Sequence, residues 1–337
     1  MIHGHGDDLY KYGNVEINFS TNIYNHFGHS PLFKALAGKL PTITSYPEPA
    51  PERLEHAIAM RLGVGNNNVM AANGATEAIY LIALCFKGKR HYIVQPTFSE
   101  YADACRIYRC ETEYITHINP TDSFGVNDTV WLCSPNNPTG QVMRHDSLVG
   151  IIKKNPSTLF IVDQSYSAYT TEETLQCEEA VQLSNALILY SMTKDFGIPG
   201  LRLGYAVGND TLISKVKRYR MPWSVNSLAA EAGLFLAAHP DNYCIDAAAI
   251  CKERVRVAEQ LEGAGIKTFP SDSNMLLCEL PTGNAGELKE YLVARYGILI
   301  RDASNFHGLS PKHFRIAVQT EAEDNKLINA LREWTKR

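Results

Sequence analysis

The sequence predicts an α/β protein, with a large domain on a mainly parallel sheet followed by a smaller α+β domain. Three observations carry this. Short apolar runs alternate with helical patterns as far as residue 210, the rhythm of a parallel sheet flanked by helices. Chemically distinctive residues recur where those runs end, and the carboxyl ends of strands are where an open parallel sheet binds its ligands. At 337 residues the chain exceeds one simple core, and beyond Gly265 the rhythm changes to strands and short helices. The expected divisions are an arm over residues 1–26 packing with the small domain, a large domain over 27–230, and a small domain over 231–337.

Taken in order, Val15 to Phe19 reads as an extended piece of the arm that ends at Ser20-Thr21-Asn22. Ser30 as cap and Pro31 at the first position open a helix that runs to Leu40. Tyr46-Pro47 lies in a proline-rich loop, and Glu52 to Leu62 repeats apolar residues at helical spacing before stopping at Gly63. Val69 to Ala72 is a strand, followed by the turn Asn73-Gly74-Ala75-Thr76-Glu77 and a helix from Ala78 to Phe86. Further strands are expected over Tyr92 to Gln95, Thr129 to Cys133, Leu159 to Val162, Ala186 to Tyr190 and Tyr205 to Val207, with a helix between Phe98 and Tyr108. Helices follow over Ala229 to Ala238 and Asp246 to Ala264. Strands and short helices over Met275 to Glu279, Leu288 to Arg295, Leu299 to Arg301 and Phe314 to Val318 precede a final amphipathic helix from Glu321 to Trp334.

A composition of 45% hydrophobic and 20% charged residues is that of a globular protein. The net charge of −4, with no basic block, gives no general attraction for nucleic acid. No apolar run is long enough to span a bilayer, and the polar, acidic beginning is unlike a secretory signal. The eight cysteines form no CxxC pair and the eleven histidines no HExxH, so neither a disulfide framework nor a metal site is expected. A metal-free protein of the cytoplasm is the expectation.

The chemistry gathers around Lys194, which follows an apolar strand pattern and two hydroxyls, Ser191 and Thr193. Desolvation there lowers the pKa of an ammonium and leaves an amine able to attack an aldehyde. Arg202 follows after Gly197, Pro199 and Gly200, and a guanidinium with hydroxyls suits a phosphate dianion. The Ala75-Thr76 turn, at a helix start, offers backbone N–H groups and a hydroxyl to the same end. A lysine that captures an aldehyde beside a phosphate site points to pyridoxal 5′-phosphate (PLP). A surface lysine on a loop is the ordinary alternative, and the neighbours of Lys194 set it aside. PLP needs an anion at its pyridine nitrogen, donors at its phenolic oxygen and a flat partner for its ring. Asp163, ending the run Leu159-Phe160-Ile161-Val162, suits the first role as well as it would suit a helix cap. Asn137 and Tyr166 suit the second, and Phe98 the third. His3 and His5 could approach an anion or belong to a plain polar terminus.

Six motifs occur in order: Gly74-Ala75-Thr76-Glu77, Pro96-Thr97-Phe98, Ser134-Pro135-Asn136-Asn137-Pro138-Thr139-Gly140, Asp163-Gln164-Ser165-Tyr166, Ser191-Met192-Thr193-Lys194 and Gly200-Leu201-Arg202-Leu203-Gly204. In these the chain resembles the fold-type I, aspartate-aminotransferase-like PLP enzymes over nearly its whole length. The resemblance implies a sheet of the seven-stranded type. It also implies Lys194 as the lysine joined to the cofactor, Asp163 on the pyridine nitrogen, and Asn137 and Tyr166 on the ring hydroxyl. Phe98 is implied to stack on the ring, with Ala75, Thr76, Ser191, Thr193 and Arg202 around the phosphate. Lys194, Asp163 and Tyr166 are then the catalytic residues. Tyr46 matches the tyrosine that reaches the phosphate of the neighbouring subunit, which implies a homodimer. Gln164 stands where the family usually has glutamate, at a position the cofactor chemistry does not use. Arg315 matches the family arginine that clamps the substrate carboxylate, and a strand arginine between apolar residues needs an anion in any case. Arg301 is a second cation expected to face the same pocket, and two arginines suit a substrate with both carboxylate and phosphate. Asn22, Asn137 and His3 complete the expected substrate contacts.

Within that family the chain is similar to the branch shared by histidinol-phosphate aminotransferases and L-threonine-O-3-phosphate decarboxylases. The N-terminal His-Gly element, Phe19-Ser20-Thr21-Asn22-Ile23, and Met221-Pro222-Trp223-Ser224-Val225-Asn226 resemble the decarboxylases. So do Ile298-Leu299-Ile300-Arg301 with Asn305 and Gly308-Leu309, and the late helix with Asn325 and Leu331. The implied activity is decarboxylation of L-threonine O-3-phosphate to (R)-1-aminopropan-2-yl phosphate, in cobalamin biosynthesis. The alternative is an aminotransferase, such as one acting on histidinol phosphate with 2-oxoglutarate. The two reactions part on geometry, because the bond held perpendicular to the cofactor plane is the one that breaks. A fold of this kind that only bound a ligand would need no reactive lysine, and the set Lys194, Asp163 and Arg202 argues against it.

Overall fold

The computed structural model describes residues 7–119 and 121–337. Its strands, in chain order, are β1 Ile17–Asn18, β2 Val69–Ala72, β3 Arg90–Val94, β4 Glu111–Ile115, β5 Thr129–Cys133, β6 Leu159–Asp163, β7 Ala186–Ser191, β8 Gly204–Gly208, β9 Lys267–Thr268, β10 Met275–Glu279, β11 Ile298–Leu299, β12 Arg301–Asp302 and β13 His313–Ala317. Seven of them form the large sheet in the order β2-β8-β7-β6-β5-β3-β4. β8 runs antiparallel to both neighbours and the other pairings are parallel, so the expected mainly parallel sheet is there.

The central strands β5 and β6 are buried along their whole length. They lie under helices on both faces, so they read as continuous apolar runs rather than alternating ones. The apolar-run criterion misses β4, whose Glu111, Thr112 and Glu113 are exposed on the sheet edge. Charge on an edge blocks further pairing, and it also removes the sequence signal. The same criterion misses the surface helices His145–Lys154 and Asp210–Lys217. Among the described residues no helix is long and apolar enough to cross a membrane.

Two expectations about helix starts are corrected. His29, not Ser30, sits at the cap of the helix Ser30–Ala37, without a side-chain hydrogen bond among the described residues. Pro31, in the first turn, lacks an N–H and presets its φ, so the helix starts without a serine acceptor. The residues expected as a turn before Ala78 are the first turn of a helix, Gly74–Cys85.

A four-stranded antiparallel sheet, β12-β13-β10-β9, follows the large one in sequence. The single strand expected over Leu299 to Arg301 is divided: β11 pairs with β1 of the arm, and β12 pairs with β13. Ile300 lies between them. The arm is therefore stitched to this region, with Phe19 N–H donating to Leu299 O at 2.8 Å and Ala317 N–H to Phe19 O at 3.0 Å.

His91, Cys105 and Cys110 bring ligand-type atoms within 4.8 Å of one another. Trp131 Nε1–H donates to His91 Nδ1 at 2.9 Å, which leaves the imidazole proton on Nε2, 3.2 Å from Phe86 O. Neither ring nitrogen then has a lone pair to offer a metal.

Gly204 heads β8 against the start of the helix Gly74–Cys85. A Cβ there would lie 2.4 Å from the Ala75 nitrogen and 2.8 Å from the Tyr190 carbonyl oxygen, both backbone atoms. Gly204→Ala is expected to cost about 1–3 kcal/mol of stability by overpacking. It should lower the urea midpoint with the slope unchanged; an unmoved midpoint would contradict this close approach.

Candidate active site

The carboxyl ends of β5, β6 and β7 open into a cavity of about 530 Å³. Apart from Tyr46 and His3, every site residue expected from the sequence lines it. Tyr46 is 87% exposed and rests near the Trp223 ring at 5.4 Å. His3 lies outside the described residues. Gln164 does not line the cavity, and its Oε1 instead accepts the Tyr190 hydroxyl at 2.9 Å.

One end of the cavity is built for an anion. The first N–H groups of the helix Gly74–Cys85 have no partner within the helix, and its dipole favours negative charge there. Gly74 has φ +76°, and a Cβ on it would fall 2.8 Å from Arg202 Nη2. Arg202 itself takes a left-handed conformation, φ 56° and ψ 64°, which costs energy for any residue with a Cβ. Ser191 Oγ and Thr193 Oγ1 stand 2.6 Å apart and complete the cradle. Amides, hydroxyls and a guanidinium are the donor set a phosphate dianion takes.

Asp163 ends β6 and is 4% exposed. Its Oδ2 accepts the Tyr101 hydroxyl at 2.6 Å and its Oδ1 accepts Ser165 N–H at 2.9 Å. Burial pushes the carboxyl above its ordinary range, while the Ser165 side chain, the Tyr101 hydroxyl, the Ser165 N–H and the charge of Lys194 pull it back. Lys194 follows β7, and its Nζ donates to Asn22 Oδ1 at 3.1 Å and, more weakly, to Thr21 O at 3.4 Å. Burial, then the guanidinium of Arg315, bring its pKa down to about 8, against the pull of Asp7 and Asp163. Asn22 also donates to the Tyr166 hydroxyl. Phe98 meets Tyr101 edge-on at 5.8 Å.

Arg315 stands in β13 and is 2% exposed. It donates to Asn137 Oδ1 and to Ser20 O, both neutral, and its Nε has no acceptor among the described residues. Burial brings its pKa down to about 10. Directly across the strand pair lies Arg301, whose guanidinium donates to Asn305 Oδ1 at 2.8 Å and whose pKa burial also lowers. Like charges opposite each other in a sheet are unfavourable; Asp302 and Asp8 offset Arg301 and Asp7 offsets Arg315, and a ligand anion between the two would add to that.

Sequence reasoning missed Tyr101, Ser165, Thr21 and Asp7, all lining the cavity. Ser165 had a readable signal, since an aspartate often accepts the N–H two residues on. Tyr101 had none, because its partner lies in a strand 62 residues further on.

A reactive lysine, a buried carboxylate and an anion cradle around one cavity define a PLP-dependent enzyme of fold type I. Residues 14–331 match the aminotransferase class I and II family, and the chain belongs to it. PLP is its cofactor. The chain is 31% identical to the threonine-phosphate decarboxylase of Salmonella typhimurium over 94% of its own length and 90% of the relative's. It is 31% identical to the histidinol-phosphate aminotransferase of Caldanaerobacter subterraneus, covering 86% and 84%. The crystal structure of L-threonine-O-3-phosphate decarboxylase from Porphyromonas gingivalis is similar at a TM-score of 0.92 and 36% identity, over 95% of this chain and 100% of that one. The residues fit the cofactor: Asp163 answers a pyridinium, and the cradle answers a phosphate.

The amine of Lys194 is half deprotonated near pH 8. Capture of PLP by the cofactor-free protein, trapped with borohydride, should quicken as pH rises and level off above that value. Lys194→Ala should lose the label from the peptide that carries residue 194 at every pH, leaving only the slow background of exposed lysines. A midpoint near the ordinary lysine value of 10.5 would contradict the assigned environment.

Proposed function

We propose that this protein decarboxylates L-threonine O-3-phosphate to (R)-1-aminopropan-2-yl phosphate. The observation that carries the reading is the cross-strand pair of Arg301 and Arg315 in the cavity that holds Lys194. Two facing guanidiniums, Arg315 buried and Arg301 half-buried, suit a substrate with an anion at each end. The similarity to threonine-phosphate decarboxylases supports the same substrate.

In this reading Lys194 bonds the cofactor, Asp163 faces its ring nitrogen, and Asn137 and Tyr166 face its ring oxygen. Phe98 covers the ring, and Ala75, Thr76, Ser191, Thr193 and Arg202 hold the phosphate. Bound there, PLP supplies an electron sink for the charge left at Cα when carbon dioxide departs. Arg315, with Asn137 and Asn22, takes the substrate carboxylate, and Arg301 takes the substrate phosphate. Fixing both ends sets which bond at Cα stands perpendicular to the ring, and that choice is the reaction. Lys194 Nζ is the acid that returns a proton to Cα. The reading includes a homodimer in the cytoplasm, with the exposed Tyr46 reaching the neighbour's phosphate. It also divides the chain into an arm over 1–26, a large domain over 27–230 and a small domain over 231–337.

The PLP-loaded protein, given L-threonine O-3-phosphate and no keto acid, should release carbon dioxide over many turnovers. Arg301→Ala should raise KM for that substrate, and Arg315→Ala should lower kcat/KM at least about thirtyfold, near 2 kcal/mol for a lost buried charge partner. The similarity to a histidinol-phosphate aminotransferase favours the second reading. Turnover only with histidinol phosphate and 2-oxoglutarate would establish it and overturn the first.

A further inference from the structure

Tyr101 is a cavity-lining residue to which the function above gives no role. It is 1% exposed, in the helix Glu100–Ile107. Its hydroxyl donates to Asp163 Oδ2 at 2.6 Å. The same ring meets Phe98 edge-on at 5.8 Å and stacks on Trp131 at 5.6 Å, with 22° between the planes. Trp131 is pinned in turn by its bond to His91 at 2.9 Å. A buried column thus runs from His91 through Trp131 to Tyr101. Its last member touches both the aromatic proposed to cover the cofactor ring and the carboxylate proposed to face the ring nitrogen.

We propose that Tyr101 is a positioning residue that, through its hydrogen bond to Asp163, keeps the proton of the PLP–Asp163 pair on the pyridine nitrogen rather than on the carboxylate. The inference rests on the cofactor assignment and not on the reaction proposed above. A carboxylate out of water is a stronger base than one in water, because burial disfavours its charge. Left to itself it would draw the ring proton onto oxygen and leave a neutral ring, a poorer electron sink. Each donor on the carboxylate weakens its basicity. Ser165 acts on the carboxylate through its side chain and its backbone N–H, and Tyr101 supplies a donor from a distant part of the chain, on the other oxygen. Burial, and the charge of Asp163, hold the Tyr101 phenol far above its ordinary pKa, so it stays a donor.

The other titratable groups leave this assignment in place. Cys133, facing Tyr101 from β5, is itself pushed well above its ordinary pKa by burial. Lys194 and Arg315 bring positive charge to the cavity, and Tyr166 is held protonated by burial. On Tyr101's own helix, Glu100 accepts the Tyr80 hydroxyl at 2.7 Å and Asp103 pairs with Arg106 at 2.6 Å.

The test needs no substrate. PLP bound through a lysine absorbs visible light, and its colour changes as the nitrogen joined to the lysine loses its proton. Positive charge on the ring nitrogen disfavours a second positive charge on that neighbour. Tyr101→Phe keeps the ring and both aromatic contacts and removes only the hydroxyl. With the ring proton drawn onto Asp163, the pH midpoint of the colour change should rise by about half a unit to one unit. Incorporating 3-fluorotyrosine at position 101, a stronger donor of nearly the same shape, should lower the midpoint. Opposite shifts support the proposal, and a packing role predicts neither. An unmoved midpoint in both proteins, or shifts in the same direction, would overturn it, and the fluorinated protein decides alone if the Phe variant holds no PLP.

Discussion

The interaction on which the rest of this molecule depends is the burial of one carboxylate, Asp163, at the end of an apolar central strand. An ionised carboxylate there survives only if donors and positive charge replace the water it has lost. Ser165 N–H and the Tyr101 hydroxyl occupy its two oxygens, and Lys194 supplies charge nearby. Those three groups come from three different parts of the chain. The parallel order of β5, β6 and β7 is what brings their ends to one place.

Positive charge is the second constraint. Lys194, Arg202, Arg301 and Arg315 share the cavity, and those of them withdrawn from water raise one another's cost. That cost appears as lowered pKa values in Lys194 and Arg315. The left-handed backbone of Arg202 and the unmet Nε of Arg315 add costs of their own. The apolar packing of the sheet and helices bears these costs. An anionic cofactor and an anionic substrate relieve them, which makes the free energy of the site a free energy of binding.

The sheet was legible because its inner strands are covered on both faces and their apolar runs stand out. Much of the cavity's lining was legible because its residues follow those runs directly, as Lys194 follows β7 and as Asp163 ends β6. What stayed hidden depended on pairing across the chain. The edge strand β4 carries the charges that suit an edge and so looks like a loop. The bond from Tyr101 to Asp163 spans 62 residues and leaves no local mark. The facing of Arg301 and Arg315 is a matter of strand register, and register is set by the assembled sheet. Ser30 is the first residue inside its helix and not the cap, a shift of one position that leaves no local mark in the sequence.

If Asp163 faces bound PLP as proposed, the ring nitrogen opposite it carries a proton. The most direct measurement is the nitrogen-15 NMR shift of PLP labelled in the ring and loaded into the intact protein near neutral pH. The account predicts the shift of a protonated pyridine, moving towards that of a free pyridine when Asp163 is replaced by alanine. A free-pyridine shift in the unaltered protein would contradict it.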